Sequence, residues 1–447
     1  MAGWFDDELR ALRTAARREA RAAAARGKPP CTVKRTHMPR QREYVAKCKE
    51  KKRAWRRRRV RALERLCDDE QGAYWSTVDK IIGIAQAKEI PVSIEKLARH
   101  FQAAVFDPSV ANVCGDEDKV SGDISTLKEA IDDGRYFTRG DIKAALRKVG
   151  KNKAGGADGM PSRIICMLRD SGAFIDSIYG MFVHYVHVGF WPSEWNEILI
   201  TPVPKPGKPP LNYNSYRPIH LIAVLAKVFA SVVEARLSGW ITRSEEQFGF
   251  SAGYGTRDNV LIAASVIEKY ADVGVHCAFV AFRAAFDSVD RHKLIVRLKE
   301  LGVREEVVNT IAAMYTRVAA TVKGTQARFV ENKGVKQGDP LGPRLFNIFI
   351  KNLPELLHVD GMTDMVLLGQ RVIRCLLYAD DLLLFSTSAA GLQRAWQLDA
   401  LKRYCDEWGL EVNVPKTEYM YAKKGDRTGA GKLRYGCVEL VECAQFK

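Results

Sequence analysis

Two adjacent acids, Asp380 and Asp381, lie in Leu376-Leu377-Tyr378-Ala379-Asp380-Asp381-Leu382-Leu383-Leu384-Phe385, between two strand-like apolar runs. The pattern predicts a β-hairpin with carboxylates at its tip. Neighbouring like charges repel and cost stability unless a cation offsets them, so a merely polar turn is the weaker reading. Carboxylate oxygens suit Mg²⁺, which keeps waters and substrate phosphates in its shell and commonly works in pairs for in-line phosphoryl transfer.

Two further segments carry candidate chemistry. Val275 to Arg291 reads as a buried strand turning into a helix, with Asp287 and Asp290 in N-cap and N3 relation, so their ordinary role is to start that helix. Gly334-Val335-Lys336-Gln337-Gly338-Asp339-Pro340-Leu341-Gly342-Pro343 is a Gly/Pro loop feeding a helix with apolar Leu345, Phe346, Phe349, Ile350 and Leu353. Such a loop could admit a flat ring and a sugar against bare backbone. A fourth stretch, Lys151 to Pro161, is rich in Gly and Lys, and its N–H groups and lysines could approach phosphates, although a lone basic Gly-rich loop is weak evidence.

The elements that position these residues follow from pattern. Thr138 and Asp141 cap a predicted helix with Ile142, Ala145 and Leu146 on one face, ending near Gly150. Residues 1 to about 80 are rich in Ala, Arg and Lys and read as helical, broken at Gly27-Lys28-Pro29-Pro30. Lys47, Lys49, Lys51, Lys52, Arg53, Arg56, Arg57, Arg58, Arg59 and Arg61 put positive charge on every face of one helix, with Trp55 among them. They read either as a solvated linker or as a phosphate-backbone contact working by counterion release.

Composition bounds the function classes. The chain has 447 residues, 70 Lys+Arg against 53 Asp+Glu, a net charge of +17 and 47% hydrophobic residues. That excludes a disordered, collagenous or small disulfide-stapled protein and points to a polyanionic partner, nucleic acid or an anionic surface. The longest apolar run, Ile219 to Val233, is short for a bilayer and carries Lys227, and the acidic start is unlike a secretory leader, so the expectation is no membrane partner and a place in the nucleus or cytoplasm. The ten cysteines form no Cys-x-x-Cys pair, and neither Cys31 with His37 nor Cys437 with Cys443 has a structural zinc spacing.

Taken together, Ala285-Phe286-Asp287-Ser288-Val289, Gln337-Gly338-Asp339-Pro340-Leu341 and Tyr378-Ala379-Asp380-Asp381 resemble, in that order, the palm motifs of reverse transcriptases of non-LTR (LINE-type) retrotransposons. Pro204 to Lys208, Ser215 to Ile219, Gln247 to Phe250 with Thr256, Lys151 to Pro161 and Gly409 to Thr417 match further motifs, so the similarity spans about residues 138–420. The basic start, with Trp4 and Asp6 to Arg10, is similar to the stretch that follows the endonuclease in such elements.

The resemblance implies an α+β right-hand fold. Its parts would be a basic helical extension over residues 1–80, fingers over 81–260, and over 261–447 an antiparallel palm sheet packed on helices, with the thumb absent or incomplete. It implies RNA template, DNA primer and dNTP as partners and Mg²⁺, with Mn²⁺ as the alternative, as cofactor. Asp380 would hold both ions and Asp381 support the site; Phe286 would be the steric gate against a ribose 2′-OH; Gln337 and Gly338 would pack on the nucleotide; Lys205 and Arg217 would clamp its triphosphate; Lys416 would be general acid for pyrophosphate. Lys151 and Lys153, with Arg53, Arg56, Arg57, Arg58 and Arg59, would be the nucleic-acid contacts. Phe286 as a plain core aromatic and Lys416 as a surface lysine are the competing readings. The chain departs from the family where its first metal-binding aspartate belongs: that position is Ala281, and the Lys expected before Ala-Phe-Asp is Ala284. Catalysis is therefore expected to be impaired. A non-catalytic nucleic-acid binder that keeps the polymerase shape, and a group II intron maturase, are the rivals; a viral RNA-copying enzyme is disfavoured by Ala379 and by the bulk of Phe286.

Overall fold

The structure is a computed structural model that describes residues 6–25, 39–40, 43–51, 54, 91–109, 134, 136–151, 153–189, 191–357, 364–393, 398–425 and 432–443. The chain divides into two compact units, residues 1–88 and 89–447.

In the first unit, α1 (Asp7–Ala25) opens with Asp6 accepting from the Leu9 N–H at 3.2 Å and with Asp7 and Glu8 in its first turn, where the helix dipole favours negative charge. It ends two residues before the Gly27 breaker. Lys51 pairs with both Asp6 and Glu8, and Lys47 lies 3.8 Å from Glu8 and 3.2 Å from Glu50. Two lysines of the basic run thus face acids of their own unit. Arg53, Arg56, Arg57, Arg58 and Arg59 lie outside the described residues, as do Lys52, Trp55, Arg61, Trp4, Cys31 and His37.

Two main sheets carry the second unit. The strands, in chain order, are β1 (Glu197–Pro204), β2 (Tyr216–Leu221), β3 (Val275–Ala281), β4 (Val318–Val322), β5 (Arg328–Glu331), β6 (Val366–Leu368), β7 (Arg371–Ile373), β8 (Cys375–Tyr378), β9 (Asp381–Ser386), β10 (Glu418–Ala422), β11 (Arg434–Tyr435), β12 (Val438–Glu439) and β13 (Val441–Glu442). The four-stranded sheet has the order β2-β1-β4-β5, joining a hairpin from before residue 260 to one from after it. Its apolar face packs on α2 (Ile94–Val105), whose Leu97, Ala98, Phe101 and Val105 recur at helical spacing.

The five-stranded sheet has the order β13-β10-β3-β9-β8, antiparallel throughout except for the β10–β13 edge. β3 is central, and its period of two feeds both faces. Ala278 and Val280 join the main core, while Val275 and Cys277 join a second cluster with Phe248, Val266, Leu376 and Phe385. The main core is covered by helices, among them α3 (Arg139–Lys148), α4 (Gly172–Val188) and α5 (Val224–Trp240), whose Phe182 and Phe229 rings meet edge to face at 4.8 Å. The predicted Thr138–Asp141 capping box is present, with both reciprocal bonds formed. Four more helices frame the site: α6 (Thr256–Lys269), α7 (Arg291–Glu300), α8 (Glu305–Tyr315) and α9 (Gly342–Phe349). Among the described residues no helix is long and apolar enough to cross a membrane.

Candidate active site

β8 and β9 form the predicted hairpin. Tyr378 faces Asp381, leaving Ala379 and Asp380 as a two-residue turn. Ala379 is left-handed (φ 59°), the hand such turns require but an uncommon one for a residue with a Cβ. A neighbouring strap holds it there. The buried Gln247 amide donates through Nε2 to the Ala379 carbonyl (3.1 Å) and accepts at Oε1 from the Ala379 N–H (2.9 Å) and the Gly249 N–H (2.8 Å). Leu377 donates to the Glu246 carbonyl at 2.8 Å and accepts from the Phe248 N–H at 2.9 Å. Gly249 is pressed so close that a Cβ there would lie 2.2 Å from the Ala379 nitrogen. Gln247, which the motif reading included without giving it a role, is thus a positioning residue.

Asp380 is half-buried and Asp381 exposed. Burial raises both carboxyls above their ordinary range, and the charge of Asp380 raises Asp381 further; Arg217 and Lys416 pull Asp380 down, and Lys416 pulls Asp381 down. Arg217 stands on β2 opposite Val203. Lys205 follows the end of β1, its N–H donating to the Ser215 carbonyl (2.7 Å) and its Nζ to the Asn214 carbonyl (2.8 Å). Its ammonium is held below the usual range by burial and then by Lys416 and Arg217. Lys416 is exposed in the short turn Val414–Lys416 before β10. Arg217 and Lys416 therefore act on the hairpin tip, and Lys205 in turn feels the charge of both.

Ala281 pairs directly with Asp381 across β3 and β9. Its backbone is fully engaged: its carbonyl accepts from the Asn413 N–H at 2.7 Å and its N–H donates to Thr417 Oγ1 at 3.4 Å. A side chain at 281 therefore belongs to the same site as Asp381, and here it is a methyl group.

The turn after β3 corrects one expectation. The helix starts at Arg291, and its N-cap is Asp290, which accepts from the Lys293 N–H at 3.1 Å. Asp287 is not a cap. It sits buried in the turn opened by left-handed Ala284 (φ 45°), where it accepts from Gln337 Nε2 at 2.6 Å. Burial pushes its carboxyl up to about 6, against the Gln337 bond and the pull of His220 and Lys205. The half-buried Phe286 ring stacks on Phe346 of α9 (4.6 Å, 20° between planes) and meets Phe250 edge to face at 6.0 Å. Its carbonyl accepts from the Val335 N–H at 2.8 Å, so the gate candidate and the Gln337-Gly338 loop are adjacent. Gly338 (φ 112°) lies against β2, where a Cβ would come 2.8 Å from the His220 carbonyl.

Two buried cations brace this corner. Arg291 donates to the main-chain carbonyls of Gly334 (2.9 Å), Tyr315 (3.0 Å), Lys333 (3.0 Å) and Glu331, tying α7 to α8, β5 and the loop. Lys336 donates to Asn196 Oδ1 (3.0 Å) and the Met314 carbonyl (2.7 Å), and burial lowers its ammonium to about 8. Lys151 and Lys153 are exposed, but the glycine beside them has a structural use. Gly156 is buried against Ile222-Ala223, where a Cβ would lie 2.3 Å from the Ala223 nitrogen.

The motif geometry agrees with comparison to known proteins. A family profile described as reverse transcriptase (RNA-dependent DNA polymerase) matches residues 203–435, just over half of the chain. The chain belongs to this family. The reverse transcriptase relatives include the RNA-directed DNA polymerase from mobile element jockey of Drosophila funebris, 30% identical over 71% of this chain and 34% of that protein. The probable RNA-directed DNA polymerase from transposon BS of Drosophila melanogaster is 32% identical over 52% and 26%. The Pol polyprotein of the type-1 retrotransposable element R2 of Popillia japonica is 29% identical over 63% and 39%. The chain spans about a third of the length of these relatives.

Reverse transcriptases use divalent metal ions, and the donor set here accommodates them only in part. Among the described residues no group of three or more His, Cys, Asp or Glu side chains gathers for a metal. Asp380 and Asp381 suit one hard cation that takes its remaining ligands from water and phosphate. A pair of ions needs a further carboxylate, and the residue across from Asp381 is Ala281. The residues present do not fit the two-ion arrangement.

Proposed function

We propose that this chain is the RNA-directed DNA polymerase domain of a non-LTR retrotransposon, working in the nucleus or cytoplasm on RNA template, DNA primer and dNTP, and impaired in catalysis as written. The observation that supports the reading is the pull of Arg217 and Lys416 on the Asp380-Asp381 tip, with Lys205 coupled to both cations and to Asp287, the partner of Gln337. Lys205 and Arg217 take the triphosphate, Arg217 by its planar fork. Phe286 fills the space a ribose 2′-OH would need. Lys416, whose charge reaches both carboxyls of the tip, holds a proton for the leaving pyrophosphate. Asp380 and Asp381 would hold one Mg²⁺, or Mn²⁺ in its place, which when bound would offset phosphate charge. Lys151, Lys153 and the N-terminal basic run contact nucleic-acid backbone.

Ala281 favours a second reading, a nucleic-acid and nucleotide binder that keeps the polymerase fold without turnover. Primer extension on an RNA template distinguishes them: slow template-directed dNTP addition that stops on Asp380→Asn supports an impaired polymerase, and salt-sensitive primer-template binding with no addition supports the binder. Absence of both primer-template and dNTP binding would overturn the two together.

A further inference from the structure

The resemblance gives Gln337 a place in the nucleotide pocket, but an amide has two different ends, and which end faces a ligand decides what it recognises. The structure supplies the device that chooses. Asp287 is 8% exposed and its Oδ1 lies 2.6 Å from Gln337 Nε2. An ionised carboxylate accepts only, so it can be satisfied only by the NH₂ end of the amide. The backbone locks both partners. Gly334 donates to the Val289 carbonyl (2.7 Å), Val335 to the Phe286 carbonyl (2.8 Å), and the Gln337 carbonyl accepts from the His220 N–H (2.8 Å), so the loop cannot slide relative to the turn.

We infer that Asp287 is a positioning residue that fixes the Gln337 side chain with its carbonyl oxygen as the group offered to the nucleotide, so that the pocket presents an acceptor to a sugar hydroxyl. This rests on the reading of the site as a deoxynucleotide pocket. A protonated Asp287 could instead donate to Gln337 Oε1, turning the amide and presenting a donor. The raised carboxyl, at about 6, puts that exchange within reach of mild acid. The charged and titratable groups facing Asp287 are His220, Glu331 and Lys205, and His220 is itself 3.3 Å from Glu331.

The test has a ligand-free arm and a binding arm on the full chain. In the first, Gln side-chain amides are labelled with ¹⁵N, and the Gln337 NH₂ signals, assigned with Gln337→Ala, are followed from pH 7.5 to pH 5. They are expected to move with a midpoint near 6, and the movement is expected to vanish in Asp287→Asn. Signals indifferent to pH, or a titration that persists in Asp287→Asn, would overturn the inference whatever the chain does with nucleotides.

In the second arm dATP with Mg²⁺ is the probe. A carboxamide in place of the carboxylate can face either end of the Gln337 amide, so Asp287→Asn is expected to weaken dATP about twofold, the cost of halving the competent population. Asp287→Leu removes the partner and is expected to cost on the order of 5–10-fold, the range of one hydrogen bond. The phosphates of dATP and their Mg²⁺ binding also depend on pH, so the pH readout is the difference between the unsubstituted chain and Asp287→Asn. Equal affinities in all three proteins at every pH contradict the inference. Failure of the unsubstituted chain to bind dATP at all instead sinks the deoxynucleotide reading, and the first arm still judges the Asp287–Gln337 pair.

Discussion

The site has two sides built to different completeness. On the proposed nucleotide side the side chains are braced by their neighbours: Arg217 on β2 with Lys205 just past β1, Phe286 stacked on Phe346, Gln337 held by Asp287. On the metal side the Asp380-Asp381 tip is held by the Gln247 strap, yet the residue paired with Asp381 is Ala281. The difference teaches that this fold is indifferent to the side chain at 281. β3 is secured there by its backbone, through Asn413, Thr417 and the β9 ladder, none of which needs a carboxylate. An alanine where the resemblance implies an aspartate leaves the core closed, so the proposed impairment would leave the shape of the site intact.

The largest expected effect comes from disturbing the metal side further. In a background carrying Ala281→Asp and competent to extend a primer, Asp380→Asn is expected to lower the extension rate at least about a hundredfold, since each ~1.4 kcal/mol of lost transition-state stabilisation is tenfold in rate. A loss below tenfold would mean the tip is not where the chemistry happens. Gln247→Leu comes next. It strips the Ala379 main chain of both side-chain bonds and is expected to destabilise the second unit by about 2–3 kcal/mol, read as a lowered midpoint in urea. An unchanged midpoint would show that the turn holds itself.

A smaller effect separates the two sides by pH. The Asp287 carboxyl is raised on folding, so the folded state binds its proton more tightly than the unfolded state. The destabilisation from an ionised Asp287 is therefore present above about pH 6 and absent below the ordinary carboxylate range near 3.8. Asp287→Asn is expected to stabilise the chain by about 1–2 kcal/mol at pH 8 and by little at pH 4. The reverse order would contradict the assigned burial. Phe286→Ala is expected to relax discrimination between dNTP and rNTP while the fold persists, checked by competition binding in the Ala281→Asp background; intact discrimination would return Phe286 to core packing against Phe346. The smallest effect belongs to the N-terminal unit. Deleting residues 1–66 is expected to flatten the slope of log K against log[salt] for primer-template binding, but by less than a count of its cations suggests, because Lys47 and Lys51 already face acids. An unchanged slope would make the arm a linker.

What the sequence disclosed was local. Two apolar runs around paired acids specified the β8–β9 hairpin, and Thr138 with Asp141 specified a capped helix, because each signal lies within a few residues of its effect. The partners were harder to see. Gln247 and Ala379 are 132 residues apart, and Asp287 and Gln337 are 50 apart, so no local pattern names either pair. Asp287 and Asp290 both look like helix starters at that spacing, and only burial shows that Asp290 caps while Asp287 turns inward. Likewise the glycines of Lys151 to Pro161 announce a close approach without saying to what, and for Gly156 the approaching group is the Ile222-Ala223 backbone.

The imbalance between the two sides can be counted. Mn²⁺ bound per chain, measured by electron paramagnetic resonance at saturating primer-template with a limiting, non-reactive dNTP analogue, compares the chain as it stands with its Ala281→Asp variant. One ion per occupied site in the first and two in the second is the result expected from a complete nucleotide side beside a metal side lacking one carboxylate. Two ions in the unsubstituted chain, or the same number in both proteins, would contradict it.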